Sequence, residues 1–331
     1  MERLTEEALQ DLCVRALQRA GYSEENAAAL ARQAVLSDAM GQPALGVAHL
    51  FDYVDAIGAG RVDGHAEPAI TRPAPAIIHV DGRGGVPQTG FDRAFEDIVA
   101  TAHDHGLAAF LQSDATTCSA LGTFPLRLAE RGLVALAATN GFPLLAGSGS
   151  TRPVFCTNPM AFAAPQADGP PLLIDQSSSS TAFVNIREAD ARGEAIPEGW
   201  AVDADGRPTT DPAAAREGAL LPFGGARGGN IALMVEIMAA GLTGARWSLD
   251  APSLFEGRAR ASAGLCVVAM DPEPAARGFA SRLGRQLRRL GREFGVHIPG
   301  LSKGRSRAEA AQNGIGVDES ALVRLRRLAA Q

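Results

Sequence analysis

The sequence predicts an α/β protein whose first segment is helical, and three observations carry that expectation. Between Thr139 and Asn185 the chain breaks into short apolar runs, among them Met160-Ala161-Phe162-Ala163-Ala164 and Leu172-Leu173-Ile174, each bounded by Gly, Pro, Asn or Ser. Runs of that length are too short for a typical helix and read as buried strands. Near the N-terminus, by contrast, Leu9, Leu12, Cys13, Ala16 and Leu17 recur at helical spacing. Nowhere does a strand lead through G-x-G-x-x-G into a helix, so a Rossmann dinucleotide fold is unsupported.

Thr5 is the candidate N-cap of the first helix. A second helix opens at Ser23, with Glu24 and Glu25 in the first turn where the helix dipole favours negative charge, and runs through Leu30, Ala34 and Val35. A third covers about Val47 to Ile57 and stops at Gly58-Ala59-Gly60. Ala76-Ile77-Ile78-His79-Val80 reads as a strand entering the turn Asp81-Gly82-Arg83-Gly84-Gly85, and a helix follows from about Gly90 to His105. Strands and helices then alternate to about Met270, and an Arg-rich helix begins near Glu273. Its arginines, from Arg277 to Arg292, read as a solvated face. Asp203-Ala204-Asp205-Gly206 lacks the full spacing of a calcium loop and reads as a turn.

A chain of 331 residues, 46% of them hydrophobic, is long enough for a large core and fits one enzyme-sized unit of two or three subdomains. Its net charge of −6 argues against nucleic acid or an anionic membrane as the main partner and leaves a small molecule. Met1-Glu2-Arg3-Leu4-Thr5-Glu6-Glu7 has no basic segment leading into an apolar stretch, so no signal peptide is expected. No apolar run approaches the roughly 18 residues of a transmembrane helix. Cys13, Cys118, Cys156 and Cys266 are scattered without metal or disulfide spacing. The expectation is a cytoplasmic, reduced protein without a metal site. Lys303 is the only lysine, so Schiff-base chemistry could involve no other side chain.

The strand-like runs each deliver a polar group at their end: Asn140, then Thr157 and Asn158, then Asp175. Two readings stay open. These are ordinary turn residues, or they mark the strand ends where α/β proteins bind ligands.

Beyond these runs, a long stretch carries a resemblance. Cys156-Thr157-Asn158-Pro159-Met160-Ala161-Phe162-Ala163-Ala164-Pro165, Leu173-Ile174-Asp175, Arg192-Gly193-Glu194-Ala195-Ile196-Pro197-Glu198-Gly199-Trp200, and Leu220-Leu221-Pro222-Phe223-Gly224-Gly225 resemble the malate/L-lactate dehydrogenase family. This is the NAD(P)-dependent, non-Rossmann family that includes ureidoglycolate, sulfolactate and diketogulonate enzymes and piperideine-2-carboxylate reductases. The resemblance covers nearly the whole chain. It implies a homodimer with a helical subdomain over 1–60 packed with about 305–331, and a small α/β segment over 61–112. A central α/β cofactor domain over 113–298 and a cofactor-contacting segment and tail over 299–331 complete the expected organisation.

The same resemblance locates the site and shows where this chain departs. Gly41-Gln42-Pro43-Ala44-Leu45-Gly46-Val47-Ala48-His49 falls where relatives carry R-G-x-x-S-H-G-V-x-R. There the serine and histidine relay a proton and the arginine holds the substrate carboxylate; here the positions are Ala44, Leu45 and His49. The third relay position is Asn185, which can hydrogen-bond but cannot take a proton. Phe183 and Val184 beside it make that wall more apolar. Thr157, Ala44, Leu45, His49, Phe183 and Val184 are therefore the expected substrate contacts, and His49 and Asn185 the expected catalytic ones. One reading is a pocket remodelled for a bulkier or less polar ligand; the other is decay of a disused site.

For the cofactor, NADPH or NADH, the implied contacts are Thr117, Cys118, Ser119, Ala120 and Leu121, whose small side chains and backbone N–H groups can cradle a phosphate, the more so if a helix begins near Ala120. Asp175, Gln176 and Ser177 keep the ribose or nicotinamide segment. Ala226 and Arg227 stand in a glycine-rich turn where relatives have G-G-H-K-G, with Arg227 able to pair a phosphate as lysine does. Leu301, Ser302, Lys303 and Arg305 occupy the late P-G-E-R-R segment. The expected activity is NAD(P)H-dependent reduction of a cyclic imine or a 2-keto acid-type substrate without the Ser/His relay. The alternatives are a diverged lyase, isomerase or cyclase, and a ligand-binding protein on the same fold.

Overall fold

A computed structural model describes residues 2–330. After a short strand β1 (Glu2–Leu4), three helices build the N-terminal end: α1 (Glu6–Ala20), α2 (Glu24–Ala39) and α3 (Val47–Gly58). Thr5 accepts from the Ala8 N–H at 3.1 Å and Ser23 from the Asn26 N–H at 3.3 Å, so both expected caps are in place. Leu9, Leu12, Cys13, Ala16 and Leu17 are buried, and their core extends to Ile315, Val317, Leu322 and Leu325 from the far end of the chain.

The chain then runs β2 (Ala69–Ala74), β3 (Ile77–Gly85), α4 (Pro87–His105), β4 (Leu107–Ala115), α5 (Thr123–Ala129) and β5 (Val134–Thr139). Next come β6 (Leu145–Ala146), β7 (Pro153–Phe155), β8 (Met160–Ala164), β9 (Leu172–Gln176), α6 (Phe183–Arg192), β10 (Ala201–Val202) and β11 (Pro208–Thr209). They are followed by α7 (Pro212–Glu217), β12 (Ala219–Leu220), α8 (Ala226–Glu236), β13 (Ala263–Met270), α9 (Phe279–Phe294), α10 (Leu301–Asn313), β14 (Ile315–Val317) and α11 (Glu319–Ala329). One turn of π-helix, Ile237–Gly241, continues α8. The Arg-rich helix starts at Phe279 rather than near Glu273, because Glu273 instead accepts from the N–H groups of Gly278 and Phe279 and so closes the helix's N-terminal end. Only Gly284 and Leu287 of α9 are buried, so its arginines lie on a solvated face.

Seven strands form the main sheet in the order β2-β3-β4-β13-β5-β8-β9. Alternating strands and helices leave strand direction open, and here only β3 and β4, joined by α4, run parallel. The remaining neighbours are antiparallel, with β13 inserted between β4 and β5. The boundary expected between residues 112 and 113 falls inside β4, and 61–112 shares this sheet with the segment that follows. Backbone hydrogen bonds across β3–β4 and β4–β13 leave no seam there to separate two units. A second sheet, β11-β10-β12-β6-β7, carries its own small core around Leu145, Ile186, Ala201 and Leu220. β1 pairs with β14, Glu2 opposite Val317, so the two chain ends are hydrogen-bonded together.

The turn between α2 and α3 is seated by a carboxylate. Asp38 accepts from the Val47 N–H at 2.8 Å, and a Cβ on Gly46 would stand 2.3 Å from its Cγ, so any larger residue there must displace the carboxylate. Burial, opposed by the Val47 N–H, pushes the Asp38 carboxyl from its ordinary 3.8 up to about 6. A carboxyl with a raised folded-state value binds its proton more tightly folded than unfolded. Its contribution therefore weakens as pH rises through about 4 to 6. Asp38→Asn, whose amide oxygen can still accept from Val47, is expected to remove that part of the slope. Thermal melts from pH 4 to 7.5 check this: the wild-type melting temperature should fall relative to the variant's across the window, and parallel curves would reject it.

Candidate active site

The turn Thr116 to Gly122, between β4 and α5, is where the two main cores meet. Cys118 and Leu121 are buried in the sheet core and Ala120 is 1% exposed, so these positions present backbone rather than side chains. Burial pushes the Cys118 thiol up to about 12, which removes it from acid–base or nucleophilic work near neutral pH. Among the described residues, the backbone N–H groups from Thr117 to Leu121 donate to no protein acceptor, whereas the next, on Gly122, donates to Asp175 Oδ2 at 3.0 Å. Ser119 adopts a left-handed φ of 56°, a conformation that a non-glycine residue holds only where its surroundings impose it. A run of open amides in such a turn has the chemistry to cradle an anion. The helix that follows begins at Thr123 rather than near Ala120.

Three contacts tie this turn to the helical end. Ser119 Oγ donates to the Leu45 carbonyl at 3.0 Å, Tyr53 Oη to the Thr117 carbonyl at 2.6 Å, and Gln33 Nε2 to the Ala120 carbonyl at 2.9 Å. Ala44 and Leu45, on a single 3-10 turn (Pro43–Leu45), are thereby held against the cradle. His49, on the first turn of α3, shares a hydrogen bond between Nδ1 and Asp52 Oδ2 at 2.9 Å and meets Tyr53 edge-on, with ring centroids 5.3 Å apart. Asp52 also pairs with Arg187 Nη1 at 3.4 Å. Burial raises the Asp52 carboxyl, but His49 and Arg187 outweigh that and hold it below its ordinary value.

Not every expected site residue reaches this region by its side chain. Asn185 is exposed and donates to Thr181 Oγ1 at 2.9 Å within its own turn, and Phe183 packs on the core of the second sheet. Val184 and Thr157 are half-buried; Thr157 accepts from the Ser178 N–H through its carbonyl. Gln176 is exposed, and Ser177 bonds only within the serine run. Ala226 and Arg227 open α8 just after Gly224 and Gly225, with left-handed φ values of 58° and 66°, and are exposed. Leu301, Ser302, Lys303 and Arg305 lie on the first turn and a half of α10. Lys303 and Arg307, with Met40, Leu126, Leu173 and Ala308, line a cavity of about 310 Å³ under that helix.

Two of the three polar strand ends are structural. Asn140 accepts from the Gly264 N–H at 2.8 Å and donates to the Arg246 carbonyl at 2.9 Å. Asn158, fully buried at φ 38°, donates to the Ala232 carbonyl and to Glu236 Oε2, both at 2.8 Å. Their amides pin β13 and α8 to the strand ends, the ordinary-turn reading of these residues. Asp175 alone faces the cradle. Sequence reasoning missed Asp52, Tyr53 and Arg187 here, and also Glu236, which anchors Ser248 at 2.6 Å to its N–H. Asp52 sits one helical turn after His49, which was a legible signal; Glu236, a lone charge in an apolar run, was another.

A turn with open backbone amides thus lies between a mainly antiparallel sheet and the helical end. The description of malate/L-lactate dehydrogenase matches residues 4–326, and the chain belongs to that family of oxidoreductase enzymes. The chain is 36% identical over 323 residues to a Delta(1)-pyrroline-2-carboxylate/Delta(1)-piperideine-2-carboxylate reductase of Pseudomonas putida, covering 97% of this chain and 95% of that one. It is 35% identical over 303 residues to a (2R)-3-sulfolactate dehydrogenase (NADP(+)) of Chromohalobacter salexigens, 91% of each. The crystal structure of delta1-piperideine-2-carboxylate reductase from Pseudomonas syringae pv. tomato superposes with a TM-score of 0.93 at 31% identity, over 99% of this chain and all of that one.

The geometry around Asp175 gives a stability prediction. Burial raises its carboxyl above the ordinary value, against Lys303 and the Gly122 N–H, so ionisation works against the fold at neutral pH. Asp175→Asn is expected to raise the melting temperature at pH 7 by a few degrees and by less at pH 4, because the amide oxygen still accepts from Gly122. Asp175→Ala, which strands that N–H, should lower it. Calorimetry at the two pH values is the check, and an Asn variant less stable than wild type at pH 7 would refute the assignment.

Proposed function

We propose that this chain is an NAD(P)H-dependent reductase acting on a cyclic imine bearing a carboxylate, with 2-keto acids as poorer substrates. The carrying observation is the row of open backbone amides from Thr117 to Leu121 beside Asp175, in contact with the Leu45 turn, in a chain this similar to imine reductases. The amides of Thr117, Cys118, Ser119, Ala120 and Leu121 fit a dinucleotide phosphate, and Asp175 fits a ribose hydroxyl. Gln176 and Ser177 border that subsite. Arg227 on the α8 turn, with Ala226, and Lys303 and Arg305 on α10, with Leu301 and Ser302, supply the positive charge. Once bound there, NAD(P)H supplies a hydride. This surplus of guanidinium and ammonium groups favours NADPH over NADH.

The residues around Leu45 explain the substrate preference. Adding hydride to a ketone leaves an alkoxide that needs a proton, and losing the donor typically costs about 10²–10⁴-fold. A protonated cyclic imine carries its proton already and becomes a neutral amine. Ala44 and Leu45 cannot donate, and Asn185 cannot take up a proton and is bonded to Thr181. His49 is the one titratable ring on that turn, with Asp52 holding Nδ1 so that Nε2 is the nitrogen left for substrate. Thr157, Phe183 and Val184 complete the proposed wall. The test measures hydride transfer with NADPH and NADH on Δ1-pyrroline-2-carboxylate and on pyruvate across pH, in wild type and His49→Ala. Imine turnover should exceed pyruvate turnover at least ten-fold, with NADPH the tighter cofactor. His49→Ala should raise KM more than it lowers kcat. Equal rates on the two substrates would sink the proposal.

We also propose a cytoplasmic homodimer. No helix among the described residues is long and apolar enough to cross a membrane, and all four cysteines are free. Leu233, Met234, Ile237, Leu242, Trp247 and Leu249 are 40–64% exposed along α8 and its continuation. A second copy would cover such an apolar face. Light scattering should give twice the chain mass, and Leu233→Glu with Ile237→Glu should give monomers. A wild-type monomer at micromolar concentration would rule the dimer out.

A further inference from the structure

Arg187 was not among the expected site residues, yet its guanidinium links α6 to the α3 helix that carries His49. It lies on α6, whose positions 183, 184 and 187 share one helix face, and it reaches across to Asp52 on α3 at 3.4 Å. Its Cζ lies over the Phe255 ring, 4.8 Å from the centroid, and Phe255 in turn packs edge-on against Phe142, which follows the end of β5. The guanidinium is thus fixed between α3, α6 and the loop after Asn140. Only one of its five N–H donors is engaged among the described residues, by that single long contact, and the side chain remains 40% exposed. Asp52, by contrast, is 20% exposed and shared with His49.

We propose that Arg187 is the residue that binds the substrate's carboxylate, and that Asp52 is a positioning residue that holds Arg187 and His49 on the same side of the cleft. This rests on the reductase reading and names the group that selects its substrate class. A carboxylate requires a cation with free donors in a fixed plane, which a stacked guanidinium provides and an imidazole does not. Position 49 is a histidine whose Nδ1 is already occupied, so it offers at most one donor. The other cations proposed for the site, Arg227, Lys303 and Arg305, start different helices, α8 and α10. Arg187 is the cation directly linked to the His49 turn. The single contact to Asp52, through Nη1, leaves the other N–H donors of Arg187 for an anion.

The experiment compares Δ1-pyrroline-2-carboxylate with Δ1-pyrroline, which lacks the carboxylate, using the NADPH-loaded protein and the variants Arg187→Met and Arg187→Lys. Wild type should favour the carboxylated imine. Arg187→Met should lose at least about ten-fold in kcat/KM on it, mostly through KM, with Δ1-pyrroline unaffected, and Arg187→Lys should recover part of the loss. Retention of the full preference in Arg187→Met would overturn the assignment and leave the Asp52 contact a structural ion pair. Calorimetric binding of pyrrole-2-carboxylate, an unreducible planar analogue, decides the point even without turnover. Binding to wild type but not to Arg187→Met supports the anion site while the reductase reading fails on its own. Equal binding to both proteins, or to neither, refutes it.

Discussion

The hydroxyl of Tyr53 is the contact on which the site depends. Tyr53 is 1% exposed within the helical core, and its Oη donates to the Thr117 carbonyl at 2.6 Å. That one bond carries the position of α3 into the turn that ends β4. A buried phenol with no partner would cost on the order of 1–3 kcal/mol, so the helical end and the sheet are obliged to meet in one register. Ser119 and Leu45 repeat the constraint a few residues away, and Asp38 repeats it from behind by fixing Gly46 and Val47. The geometry of residues 44–49 relative to residues 117–121 is therefore set by three polar contacts that each have a burial cost behind them.

A second tension runs through the same region. The cradle leaves backbone donors open, holds Ser119 in a left-handed conformation and buries Asp175 at the expense of its ionised form. Each of these works against the stability of the free protein and is tolerated because cores on both sides over-determine the turn. Gly122 shows how tight the arrangement is: a Cβ there would stand 2.7 Å from Asp175 Oδ2. Ala44 and Leu45 offer no proton donor, which leaves His49 as the titratable ring on that turn. On the function proposed above, open anion-binding donors beside few proton donors favour substrates that bring their own proton, an iminium over a ketone.

The sheet is built differently from a Rossmann fold. A Rossmann site needs a parallel strand, a glycine-rich turn and a long helix in succession. Here β4 leads instead through the turn Thr116 to Gly122 into a short helix, and β13 returns antiparallel alongside β4. Backbone amides of that stretch, rather than a helix end behind glycines, present the donors. Polar strand ends are accordingly divided between structure and site, with Asn140 and Asn158 consumed by β13 and α8.

Periodicity and capping residues alone determined the helical end: Thr5, Ser23 and the apolar spacing from Leu9 to Leu17 specify local hydrogen bonds and one buried face, which depend on near neighbours in the chain. The short bounded runs specified strands for the same reason, and the long matched stretch from Cys156 to Gly225 identified the family. What the sequence could not order was anything fixed by contacts between distant segments. The insertion of β13 between β4 and β5, the pairing of β1 with β14, and the division of labour among Asn140, Asn158 and Asp175 all rest on partners 53 or more residues away in the chain. Arg187 was invisible for that reason: in sequence it is one arginine in a polar helix, and only the tertiary fold sets it 3.4 Å from Asp52 and over Phe255, where side-chain geometry rather than residue type gives it a role.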